Sequence, residues 1–302
     1  MTAGPRAPGS VERADYPVAL QADVEAYLAD LEFATVPGMR GLDEAMRYSL
    51  LAGGKRVRPV LALATAEAIG RAPAEVMPLA AALELVHTYS LIHDDLPAMD
   101  DDELRRGRPT CHVAFGEGVA ILAGDGLFAE ALRILLERQV SEPADLLVAA
   151  RELVSAAGGN GMVGGQFLDI AGEGPADGES LRRLHALKTG RLIGASVESV
   201  LLVTGMPEAE TGPYRRFARE LGVLFQIVDD ILDVTGDQQA IGKPSGSDQR
   251  HGKSTYVSVF GIDRARELAA ESHAAARAAL AEAGGRTAKL AQVADYILTR
   301  RR

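Results

Sequence analysis

The stretch His87–Pro109, HTYSLIHDDLPAMDDDELRRGRP, decides how the chain is read. Behind the apolar run LELVHTYSLIH come Asp94 and Asp95, four further acids, and then Arg105, Arg106 and Arg108. The apolar run has helical spacing, and the two aspartates end it. Pro97 lacks an amide hydrogen and disfavours helix before it, so the helix stops by Leu96. Asp100 is then not one turn above Asp94 on a regular helix. The LPAM segment must bulge to bring it back beside Asp94. Acids this crowded do not all stay ionised without a counter-charge.

The rest of the sequence supplies helices to hold this segment. VALQADVEAYLADL, LDEAMRYSLLAG, VRPVLALATAEAIG, VAILAGDGLFAEALRILLER, ADLLVAARELVSAAGG and SLRRLHALKTGRLIGASVESVLLV all repeat apolar residues three and four apart. So do YRRFARELGVLFQIVDDILDV, DRARELAAESHAAARAALAEA and TAKLAQVADYILTR. No alternating β-branched run or Asn-Gly hairpin signal interrupts them. The expectation is an all-α protein, with 1–15 a disordered N-terminal tail and 16–302 one domain of helices. A net charge of -10 argues against nucleic-acid binding. No apolar run reaches the ~18 residues of a membrane span. The lone Cys111 excludes an internal disulfide and fits a reducing compartment, so a cytoplasmic location is expected.

A second acidic cluster lies in FQIVDDILDV. Asp229 and Asp233 are four apart on one helix face, and Gln226 extends the stripe. Asp230 lies between them. Either cluster alone reads equally well as a solvated acidic helix end. Two clusters, each behind an apolar helix face, favour oxygen ligands for a hard divalent cation.

The basic residues follow a matching pattern. Lys55, Arg56 and Arg58 come after Gly53-Gly54, where the backbone can approach a ligand closely. Arg105 and Arg106 follow the first acids. Lys188 and Thr189 precede Gly190 in a helix that glycine weakens, and Lys243 and Lys253 flank a loop after the second acids. Carboxylates, a divalent cation and Lys/Arg together are what a diphosphate requires. Rival motifs fail. Gly252-Lys253-Ser254-Thr255 lacks the P-loop's first glycine, since Ser247 stands there. One cysteine and no HExxH give no zinc site, and no G-x-S-x-G elbow is present.

The motifs GGKRVRP, HTYSLIHDDLPAMDDDELRRGRPTCH, GGQFLDI, LKTG, FQIVDDILDVTGD and GKSTY resemble those of the trans-isoprenyl diphosphate synthases, the bacterial farnesyl diphosphate synthases most of all. The resemblance runs in order from about Pro17 to the terminal ADYILTRRR. It implies the isoprenoid synthase fold, helices around a deep central cavity, in a homodimer. It implies head-to-tail condensation of an allylic diphosphate with isopentenyl diphosphate, dependent on Mg²⁺, on the order of three ions per site. Asp94, Asp100 and Asp229 would hold metal; Asp95, Asp230 and Asp233 complete the motifs, with Asp233 acting through water. Arg105, Lys188, Lys243 and Lys253 would hold the allylic diphosphate, and Lys55, Arg58, His87 and Arg106 the isopentenyl diphosphate. Thr189 and Gln226 would face the allylic carbocation. Tyr89, beside the small Ser90, would set product length at fifteen carbons, with a twenty-carbon product the alternative.

Blander readings accompany several of these residues. His87 and Tyr89 can be packed core side chains. Gln166 and Asp169 suit either a supporting polar shell or a structural role. Arg300, Arg301 and Arg302 could close over a diphosphate, but a frayed basic tail is the default reading. A terpene cyclase would lack the second diphosphate site of Lys55, Arg58 and His87. A non-catalytic partner subunit would have lost an acidic motif, and both motifs are intact.

Overall fold

The computed structural model describes residues 15–34, 36–171, 177–235 and 254–300. Lys243, Lys253, Arg301, Arg302 and all but the last residue of the expected tail lie outside them.

Helices α1 (Val18–Ala29), α2 (Arg40–Leu50), α3 (Val57–Ala68) and α4 (Met77–Asp94) open the chain. In α3 every residue from Arg58 to Ala66 is buried, and α4 is buried without a break from Leu79 to Val86. A helix buried on every side is a core helix. Around this centre come α5 (Cys111–Phe115), α6 (Glu117–Arg138), α7 (Pro143–Ala157), α8 (Met162–Ala171), α9 (Gly178–His185), α10 (Arg191–Val203) and α11 (Glu208–Thr235). The chain closes with α12 (Tyr256–Phe260), α13 (Ile262–Ala283) and α14 (Ala288–Thr299). The most extensive packing is α4 on α6, α11 on α13 and α10 on α7. No helix among the described residues is long and apolar enough to cross a membrane.

Two local features position the site. First, α4 stops where Pro97 requires, and the following turn folds back: the Asp100 amide donates to the Asp94 carbonyl at 2.9 Å. Second, the weakened helix expected at LKTG does not break. Ala186–Gly190 forms a π-helical turn joining α9 to α10, the kind of wide turn found mostly at functional sites.

No hairpin signal is legible in the sequence, yet a short hairpin exists. Leu104–Arg105 pairs antiparallel with Arg108–Pro109. Arg106 and Gly107 both take positive φ, 54° and 73°, as a two-residue hairpin turn of matching twist demands. Arg106 thus takes a place where Asn or Gly is usual, which hid the turn. Its guanidinium bonds the Gly53 carbonyl, and a Cβ at Gly54 would meet it at 2.7 Å. Gly54 therefore makes room for Arg106.

Candidate active site

A cavity of about 710 Å³ lies between the C-terminal end of α4, α8, the π turn and α11. Asp94 from α4 and Asp229 from α11 both line it. Burial pushes the Asp94 carboxyl up to about 6; Lys188 pulls it down and the neighbouring Asp100 adds to the rise. Asp95 faces elsewhere. It is buried and grips Arg105, whose Nε and Nη2 donate to it at 2.5–2.9 Å. Arg105 therefore reaches the cavity wall already fixed by its own carboxylate.

The second acidic motif divides in the same way. Asp230 is 1 % exposed and accepts from Gln226 Nε2 and from the Tyr256 amide, both at 2.7 Å. It ties α11 to α12. Gln226 Oε1 in turn accepts from the Thr189 hydroxyl at 3.0 Å, so the two cavity-lining oxygens are held together. Asp95, Asp100, Asp230 and Asp233 are not among the residues lining the cavity.

The cationic side is formed by Arg58, Arg105, Arg106 and Lys188, with His87 between them. Arg58 is buried, and its Nε has no partner among the described residues. Burial brings its pKa down to about 10, opposed by the carboxylate of Glu84. Burial first, then Arg58, holds His87 well below the usual histidine range, so the ring is neutral. Lys188 Nζ bonds Asp169 at 2.5 Å. Both amide atoms of Gln166, also lining the cavity, are buried without partners among the described residues. Polar groups left this way mark a place where a ligand or water belongs.

Arg56 and Lys55 part from this group. Arg56 enters α3 in the left-handed conformation and turns into the core, bonding Glu84 at 2.6 Å and Glu25 at 2.8 Å. Lys55 is not on the cavity wall; its ammonium sits 5.4 Å over the Tyr296 ring and 5.8 Å over that of Tyr16.

The far end of the cavity is apolar. Tyr89 stands edge-on to Phe128 at 5.2 Å and to His93 at 5.8 Å, with Ser90 beside it bonded to the His87 carbonyl. Met162, Val163, Phe167, Ile170 and Phe225 complete the walls.

Two residues, Glu84 and Phe128, escaped sequence reasoning, and a third, Arg300, departs from its default reading. Glu84 reads as an ordinary helix acid, yet it is 2 % exposed beneath Arg56 and Arg58. Phe128 carried no signal beyond helix periodicity. Arg300 is not frayed: it bonds Asp229 at 3.1 Å and the Phe225 carbonyl at 3.2 Å, stacked on the Phe225 ring. Its signal was the terminal Arg run following an amphipathic helix.

Among the described residues no three His, Cys, Asp or Glu side chains converge into a metal cage. Mg²⁺, however, is ordinarily held by one or two carboxylates plus substrate phosphates and water. Asp94 and Asp229, hard oxygen donors on two walls of one cavity, fit that pattern.

The polyprenyl synthetase profile matches residues 39–297. The chain is 44% identical over 285 residues to the farnesyl diphosphate synthase of Geobacillus stearothermophilus, covering 93% of this chain and 94% of that protein. It is 45% identical over 263 residues to a chloroplastic geranylgeranyl pyrophosphate synthase of Catharanthus roseus, covering 86% and 74%. The structure of a Helicobacter pylori geranyltransferase, complexed with magnesium and isoprenyl diphosphate, superposes with a TM-score of 0.81 at 31% identity, covering 92% of this chain and 93% of that one. These agree with an all-α isoprenoid synthase fold around a cavity bearing acids and cations. The chain belongs to the polyprenyl synthetase family and is a prenyltransferase.

Proposed function

We propose that this prenyltransferase condenses isopentenyl diphosphate head-to-tail with dimethylallyl or geranyl diphosphate and releases farnesyl diphosphate. The observation that carries this reading is the cavity itself. Two carboxylates share the lining with four cationic side chains, Arg58 Nε and the Gln166 amide have no partner among the described residues, and Tyr89 stands in the apolar part of the wall.

Asp94 and Asp229, with Asp100 beside the first, are the residues that would hold Mg²⁺. Bound there, Mg²⁺ supplies charge neutralisation for the departing diphosphate. Arg105 and Lys188 orient the allylic diphosphate, joined by Lys243 and Lys253 from outside the described residues. Arg58, His87 and Arg106 receive the isopentenyl diphosphate, with Lys55 on the α14 side. The fixed oxygens of Thr189 and Gln226 face the allylic carbon that becomes electron-poor. Phe167, Phe225 and Met162 exclude water that would quench it. Asp95 acts through Arg105, and Asp230 through Gln226. Asp233 stands one turn beyond Asp229.

The fifteen-carbon product rests on Tyr89. Relatives include both farnesyl and geranylgeranyl synthases, so the twenty-carbon product is the alternative. Exposed Ile121, Leu122 and Leu136 on α6, with Leu147 and Val154 on α7, offer apolar surface suited to a second copy, which supports a homodimer. Purified protein with Mg²⁺, isopentenyl diphosphate and dimethylallyl diphosphate is expected to yield a fifteen-carbon diphosphate. A twenty-carbon main product would favour the alternative, and no chain extension would refute the reading.

A further inference from the structure

A second cavity, about 450 Å³, opens behind the π turn. Lys188 and Thr189 line the first cavity, whereas Ala186 and Gly190 of the same turn line this one. The turn is therefore a common wall. Its size lies within the range of small-molecule sites.

The lining has two kinds of surface. Ala186, Ala218, Val223 and the Tyr256 ring give it an apolar side, and Gly194 in the lining borders open space, since a Cβ there meets nothing within 4 Å. Four arginines and two glutamates supply the charge. Arg191 is matched by Glu152 at 3.2 Å and Arg215 by Glu198 at 2.7 Å. Two guanidiniums remain. Arg182 lies 5.3 Å over the Phe260 ring, and Arg219 pairs with its sequence neighbour Glu220 at 3.1 Å. Neither is held by a carboxylate of the cavity lining. Nε2 of His185, another lining residue, is buried with no partner among the described residues.

This cavity is wired to the first. The His185 ring contacts Tyr256 at 5.5 Å, the Tyr256 amide bonds Asp230, Asp230 bonds Gln226, and Gln226 bonds Thr189. Gly222 of α11 packs against Gly190 so closely that an added Cβ would stand 3.1 Å from its Cα. A molecule pressing on His185, Tyr256 or Gly190 thus touches groups whose other ends form the wall of the first cavity.

We propose that the second cavity binds an amphipathic anion, a short alkyl or prenyl chain carrying a phosphate head, and that its occupancy alters turnover through the π turn. The head is held by Arg182 and Arg219, with His185 beside it, and the chain lies over Gly194 against Ala218 and Val223. The effect on turnover rests on the prenyl-transfer reading; the binding does not.

The test is calorimetric titration of the intact protein with hexyl phosphate, the first cavity being saturated with Mg²⁺ and inorganic pyrophosphate. One binding event per chain is expected. Gly194→Phe, which puts a ring into the open space at that wall, is expected to abolish it. The double variant Arg182→Ala/Arg219→Ala, altered only at exposed side chains, is expected to weaken it at least about tenfold, the scale of one lost charge-assisted contact. Inorganic phosphate alone, lacking the chain, is expected to bind at least as much more weakly. Absence of the event, or undiminished binding by the double variant, overturns the site. In turnover assays hexyl phosphate is expected to change wild-type kcat about fivefold, within the usual range of coupling between sites, and to leave Gly194→Phe unaffected. Binding without a change in kcat overturns the regulatory half and leaves the site standing. Binding by a protein that extends no chain refutes the prenyl-transfer reading alone.

Discussion

The Arg300 guanidinium lies 3.1 Å from the Asp229 carboxylate, although the two are 71 residues apart. Asp229 is half-exposed, so the pair is weak, on the order of 0.5 kcal/mol. It is nonetheless a competitor for any cation that Asp229 takes up. Arg300→Ala is expected to lower the half-saturating Mg²⁺ concentration by roughly twofold. A Mg²⁺ titration of initial rates checks this. An unchanged or higher midpoint would mean that the arginine does not compete there.

The adjacent aspartates of α11 are expected to fail in opposite ways. Asp229→Ala removes a cavity carboxylate and should cut kcat by at least about a hundredfold, as should Asp94→Ala, with melting temperature nearly unchanged. Asp230→Ala strips a buried amide of its acceptor and should cost about 1–3 kcal/mol of stability. Parallel melting curves and rates separate the two. If Asp230→Ala melts like wild type, the tie between α11 and α12 is not structural.

Phe128 and His93 hold the Tyr89 ring edge-on in the wall of the cavity. Tyr89→Ala is expected to shift the main product from fifteen to about twenty carbons, the helix rise placing position 89 about 7 Å from Asp94. Chromatography of the dephosphorylated products reads the outcome. A mutant that still stops at fifteen carbons would place the floor elsewhere.

His87 leaves a signature in the pH dependence of folding. Its folded pKa lies well below the ordinary value, chiefly through burial and then through Arg58. An unfolded histidine takes up its proton near 6.5, and the folded one does not. Below about pH 6.5 the unfolded state therefore binds more protons, and stability falls as pH falls. His87→Gln is expected to flatten the loss of melting temperature between about pH 7.5 and 5.5. Equal slopes in both proteins would show that His87 is protonated at little cost when folded.

The sequence alone determined the helical class, because apolar spacing at three and four residues is a local property that each segment carries independently. It also located both acidic motifs, since Pro97 disfavours helix at the residue before it by local sterics and Asp229 and Asp233 share a face by helix geometry alone. The family resemblance implied which member of each acidic pair meets the metal; only the tertiary structure supplies the physical reason. Asp94 and Asp95 are indistinguishable as neighbours in a string; Arg105 captures the second only because a hairpin, turned by Arg106 and Gly107, swings it back. Asp229 and Asp230 are separated likewise, by the amide of Tyr256, 26 residues on. Arg56 and Arg58 read as a pair until Glu84, from another helix, draws the first into the core. Arg300 reads as a tail until Phe225 and Asp229 are placed beneath it. In each case the partner is distant in sequence, and charge complementarity across packed helices has no local pattern to announce it.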